Sequence, residues 1–220
     1  MLIGALILLG IGIVLLVPAI PSIGLRLAGF EAIDTTTIQI TPETAPVIQN
    51  AQTTSNTTLS AGAYGSRVLP PSSAYTIQTG TADNGASIAQ ISLSESSIQT
   101  LCMQFSDVCS PSASTIRNVT VDLGTGTATV AGEVYISALN TWQPIAALVS
   151  LTAENQIQID GVTINGTLFA IPDNDIGRRI REAQTVANQA ITQLSIQTNG
   201  NTYRLSDIVV TETQLVATFR

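Results

Sequence analysis

Two thiols, Cys102 and Cys109 in "CMQFSDVC", are the only cysteines the chain offers for nucleophilic or redox chemistry. They can bridge only if the chain bends sharply after Phe105; otherwise they are two buried thiols. Histidine is absent, which removes Ser–His–Asp and Cys–His catalysis and, with so few cysteines, a Cys/His zinc site. Lysine is absent too, and with it Schiff-base chemistry and a phosphate-loop lysine. "GTGTATVAG" at 124–132 is glycine-spaced, but it joins two strands and opens no helix, so it gathers no amides for a pyrophosphate. Asp160, Asp173 and Asp175 lack calcium-ligand spacing and read as caps and solvated carboxylates. No catalytic residue, metal ligand or cofactor is expected, and the chain is read as a non-enzyme.

Binding chemistry is more open. The formal net charge is −7, and only 10% of residues are charged. Without clustered cations the chain is a poor ligand for nucleic acid phosphates. "RRIR" at 178–181 is the densest positive patch: either the solvated face of an amphipathic helix, or a contact for lipid headgroups. The single Trp142 sits in a loop between apolar strands, as a core plug or, if the loop touches a bilayer, an interfacial anchor.

These residues need elements to carry them, and the first is apolar on every side. From Leu2 to Ile20 no side chain is charged, and Pro18 and Pro21 end the run. As a helix it spans the ~30 Å of a hydrocarbon core. No basic n-region precedes it and proline crowds the cleavage position, so residues 1–25 are expected to be a retained signal-anchor. The single pass would lie in the cytoplasmic membrane of a bacterium. Arg26, the one nearby cation, favours a cytoplasmic C-terminal side; the Thr-rich, lysine-free composition favours an extracytoplasmic one, which is the expectation adopted.

Residues 34–85 are rich in Thr, Ser, Ala and Pro, and read as a low-complexity tether. Within it, "TIQI" and "AYTIQT" alternate like strands. Residues 86–220 read as one α+β domain. Ile98, Leu101, Cys102 and Phe105 form one face of a helix that Ser94 can cap. Alternation predicts a hairpin over 116–137 and strands over 145–153 and 157–169, with a bulge or bend at Gly161. A long helix, capped by Asp173 or Asn174, carries an apolar stripe from Ile176 to Leu194, and "NGN" ends the segment. A last hairpin pairs "YRLSDIVV" with "QLVATFR". The fold expected is an antiparallel sheet curled around that long amphipathic helix.

In the order of "SSIQTL", "IRNVTVDLGTGTATVAGEVYI", "QPIAALVSLTAENQIQIDGVTINGTLF", a long helix and "YRLSDIVVTETQLVATF", residues 92–220 resemble the LmeA-like extracytoplasmic phospholipid-binding family, itself similar to tubular lipid-binding domains. The resemblance implies a sheet curled around a helix to leave an apolar groove for acyl chains, without catalysis. Ile176, Ile180, Val186, Ala187 and Ile191 would then line the groove. The function expected is a membrane-anchored lipid-binding module with membrane lipid as its partner. The alternative is a structural or accessory subunit docked on other membrane-protein subunits.

Overall fold

The computed structural model describes residues 29–33, 44–54, 56–69, 73, 75–105, 116–136 and 140–220. The expected anchor, residues 1–25, lies outside the described residues. Among the described residues no helix is long and apolar enough to cross a membrane.

The chain is α+β, with its strands paired antiparallel in two sheets rather than the one expected. The larger sheet is a curled half-barrel of eight strands. Its first four strands are β1 (Gln49–Thr53), β2 (Thr57–Ser60), β3 (Ser66–Leu69) and β4 (Tyr75–Thr81). β5 (Ser87–Leu93) follows, and after it α1 (Glu95–Phe105). The smaller sheet holds β6 (Ile116–Gly124), β7 (Thr127–Ile136), β8 (Thr141–Leu151), β9 (Ile157–Ile164) and β10 (Thr167–Phe169). α2 (Asp175–Thr192) comes next. The larger sheet is then completed by β11 (Ser195–Thr198), β12 (Asn201–Val210) and β13 (Leu215–Phe219), in the order β1-β4-β5-β13-β12-β11-β2-β3.

The expected tether is therefore largely folded. Ile77, Leu59 and Leu69 drop into the core, while the remaining Thr, Gln and Ser positions of β1–β4 are held by ladder hydrogen bonds. A strand at or near a sheet edge needs few apolar residues when its backbone groups are paired. Composition alone misreads such strands as a leash.

The hairpins follow the alternation. Val121, Leu123, Ala128 and Val130 bury one face of β6–β7, and Thr120 and Asp122 stay wet. At Gly161 the β8–β9 register slips, Leu148 pairing with Gly161 and Val149 with Ile159, so Asp160 is the extra residue of a bulge. A Cβ on Gly161 would stand 2.8 Å from the Phe169 carbonyl. β8 starts earlier than expected and includes Trp142 and Pro144; β9 ends at the Ile145–Ile164 pair, so the proline lies beyond its cover. The long helix also ends sooner. An Asn199–Gly200 turn with both φ positive folds Ser195–Thr198 back onto β12, a strand that no alternation in the sequence announces.

Helix caps form as the sequence suggests. The Ser94 hydroxyl accepts the Ser97 N–H (3.2 Å), and Asn174 Oδ1 accepts the Gly177 N–H (3.2 Å). Both helices also dress the edges of the smaller sheet. From α1, Glu95 accepts the Leu123 N–H (2.8 Å) and Gln99 donates to the Val119 carbonyl (3.0 Å) on edge strand β6. From α2, Gln184 and Asn188 reach the part of β9 that short β10 leaves uncovered. In each helix the two side chains stand four residues apart, one turn, and so share a face.

The sheets share one hydrophobic core. They are tied by the Gly126 N–H to the Val210 carbonyl (2.8 Å) and by Asn155, whose Oδ1 accepts the Ile208 N–H (2.7 Å). Cys102 is buried and disulfide-bonded. Cys109 lies outside the described residues.

Candidate functional site

The outer face of the smaller sheet gathers the chain's only tryptophan at the end where β7 meets β8. Trp142 pairs across the ladder with Tyr135, their rings 5.3 Å apart and tilted by 53°. Arg117 of β6 lays its guanidinium 4.2 Å over the indole. Its Nε donates to Glu133 Oε2 at 2.6 Å, and the Asn118 amide donates to the same oxygen at 3.0 Å. A register shift between Arg117 and Thr120, with Asn118 at φ 54°, lets both residues reach one carboxylate. The Tyr135 hydroxyl donates to Asn140. The cluster is half-exposed, and nothing in the sequence pattern singles out Arg117 or Glu133. Their convergence is legible only once the ladder register is known. Trp142 itself lies in a strand, not in a loop, and faces away from the core.

The residues expected to line a groove divide between core and surface. Ile180 (0% exposed), Ala187 (5%) and Ile191 (2%) pack inside the shared core. Val186 points out, at 52% exposure. The Ile176 side chain lies outside the described residues. Adjacent positions on a helix differ by about 100°, so Val186 and Ala187 do not line one wall.

Apolar cavities among the described residues are small. One, of about 20 Å³, lies beside Ile98, Val121, Val149 and Leu215 between the sheets. Another, also about 20 Å³, is lined by Leu59, Leu69, Tyr75 and Leu101 inside the half-barrel. Each has room for roughly one water, while ligand pockets run to about 300–1,000 Å³.

The arginine patch is neutralised locally. Arg178 bonds Asp175 (3.2 Å) and Glu182 (2.8 Å), and Arg181 bonds Asp173 (3.0 Å). The bonds to Asp175 first and then Glu182 raise the Arg178 pKa. Three carboxylates thus stand among three arginines, which leaves little net charge for headgroups. Among the described residues no group of three or more His, Cys, Asp or Glu could hold a metal ion. The bulge residue Asp160 has one oxygen bonded to Gln158 (3.0 Å) and the other buried. Burial pushes its carboxyl pKa up, against the pull of Ser150 and Gln158.

A different contact bears on the apolar N-terminal run. Residues 29–33 lie along β10: Ala32 bridges Phe169, the Ile33 N–H donates to the Leu168 carbonyl (3.0 Å) and the Ala170 N–H donates to the Glu31 carbonyl (2.8 Å). Phe30 is 2% exposed and meets the Phe169 ring edge-on at 6.2 Å.

Compared with known proteins, the chain matches no family model, no curated protein and no solved structure.

Proposed function

We propose that the chain is a structural or accessory subunit whose α+β domain stands directly on an N-terminal transmembrane anchor over 1–25. The observation that carries this reading is the seating of Phe30 and its neighbours in the domain. With the anchor over 1–25, only residues 26–28 lie between it and Gly29, the first described residue, so the domain is mounted close to the bilayer. A long leash would suit a carrier that shuttles lipid; a short mount suits a part that must hold position. The buried stripe of α2 supports the same reading, because its apolar side chains contact the core and not an open channel. The lysine-free surface favours the extracytoplasmic side, and the partners are other membrane-protein subunits, with lipid as the surrounding solvent.

The test is to crosslink native membranes, extract the chain in mild detergent and weigh the particle by native mass spectrometry. A particle heavier than one chain, with stoichiometric protein partners, is expected. A lone chain carrying one phospholipid per molecule overturns the proposal and restores the lipid-binding alternative.

A further inference from the structure

We propose that Asn165 is an N-glycosylation site, taking an oligosaccharide from a polyprenyl-phosphate carrier on the outer side of the membrane. This rests on the extracytoplasmic reading above. An Asn-x-Ser/Thr triplet is the acceptor for N-linked sugar, and the sequence holds three, at Asn56, Asn118 and Asn165. The fold separates them. The Asn118 amide nitrogen, the atom that would carry the sugar, already donates to Glu133 (3.0 Å), and Val119 beside it is buried. Asn56 is followed by the buried Thr57, and the Thr58 of its triplet is paired on both sides, with Gln197 of β11 and Val68 of β3.

Asn165–Gly166–Thr167 is placed differently. It makes the turn from β9 into β10, with Asn165 at φ 51° and Gly166 at φ 81°, and all three residues are exposed. Among the described residues no hydrogen bond holds the Asn165 carboxamide. A Cβ on Gly166 would meet nothing within 4 Å, so the tip stands in open space. Residues 29–33 run antiparallel to β10, with Gly29 beside Pro172 and Asn174, so the chain arrives from the anchor at the other end of β10. A sugar chain on Asn165 is thereby held clear of both the core and the mount. The disulfide at Cys102 is an independent sign of the compartment, because such bonds persist in oxidising surroundings outside the cytoplasm.

In the transfer, Asn165 Nδ2 attacks the anomeric carbon of the carrier-linked sugar. The bond from that carbon to the phosphate oxygen breaks, and its electron pair leaves with the polyprenyl phosphate. Nδ2 gains the bond to carbon and gives up one proton to a base of the membrane transferase.

The test uses the full chain, purified in detergent from native membranes. Chymotryptic peptides, which part Asn118 from Asn165 at Tyr135 and Trp142, are read by mass spectrometry. The Asn165 peptide should carry the added mass of several sugars. Thr167→Ala, which keeps the asparagine and its turn, should abolish that mass, and Thr167→Ser should restore it. A bare Asn165 in a chain whose Cys102 is bridged overturns the inference and leaves the extracytoplasmic reading standing. So does sugar on Asn56 or Asn118 alone, or sugar on Asn165 that survives Thr167→Ala. A bare Asn165 with a Cys102 that maleimide labels in denaturant before reduction overturns the extracytoplasmic reading, and this inference with it.

Discussion

Asn188 satisfies both backbone groups of Ile157: its Oδ1 accepts the N–H at 2.7 Å, and its Nδ2 donates to the carbonyl at 2.9 Å. A helix side chain thus imitates the neighbouring strand that β9 lacks at this point. Asn188→Leu leaves two groups unpaired beside a residue that is 1% exposed. Each unmet group costs about 1–3 kcal/mol, so the loss should clearly exceed that of Gln184→Leu, which frees only the Ile159 N–H. Urea unfolding midpoints check it; equal losses would mean that the asparagine's second bond adds nothing.

Phe30 belongs to the folded domain although it lies ahead of the expected tether. Phe30→Ala should cost about 3–5 kcal/mol, because the ring is buried and leaves a cavity against Phe169. A chain beginning at Gly29 should melt like the parent, whereas one beginning at residue 34 should melt markedly lower. Thermal melts of the two truncations decide it, and a stable remainder from residue 34 would detach the mount from the domain.

The two neighbours Val186 and Ala187 should respond oppositely. Ala187→Phe overfills a closed core and should cost about 1–3 kcal/mol. Val186→Ser, on the exposed side, should stay within about 0.5 kcal/mol. If Ala187→Phe leaves stability unchanged and removes co-purified lipid, α2 lines a groove after all.

Asp160 should give a pH signature. Desolvation raises its folded pKa above the unfolded value, so the folded state holds the proton more tightly. Its ionisation therefore costs stability as pH rises through the window between the two values, and the cost persists above the folded pKa. Asp160→Asn should raise the melting temperature at neutral pH, with the gain vanishing in acid below the unfolded carboxylate range. A gain that persists unchanged in acid would point to something other than the charge.

Where one face of a strand is apolar, the sequence is a sufficient guide. Val119, Val121 and Leu123 mark β6, and the slip at Gly161 marks the bulge, because alternation maps directly onto burial. β1 is the contrary case. Its residues, Gln49 to Thr53, are all exposed, so the strand is specified by pairing with β4 and not by any pattern of its own. β11 is only four residues long: Leu194 still continues the helical stripe, Ile196 two positions on leaves it, and the Asn199–Gly200 turn marks the reversal. The aromatic–arginine cluster depends on the registers of β6, β7 and β8 together. No local spacing encodes it.

β13 lies in the middle of the larger sheet, between β5 and β12, with Phe219 fully buried. Its partners on one side, Ala89 to Leu93, are made more than a hundred positions earlier, Leu93 facing Leu215. Such distant pairing carries a large closure entropy and slows folding. β1, β4 and β5 can pair with one another early, but β5 keeps its other edge open until β13 reaches it. The two halves of the half-barrel must wait for one another, and the interval exposes Ile88, Ile91 and Leu93 to whatever else is nearby. A chain built this way is open to misassembly during that interval, which its quiet finished surface does not suggest.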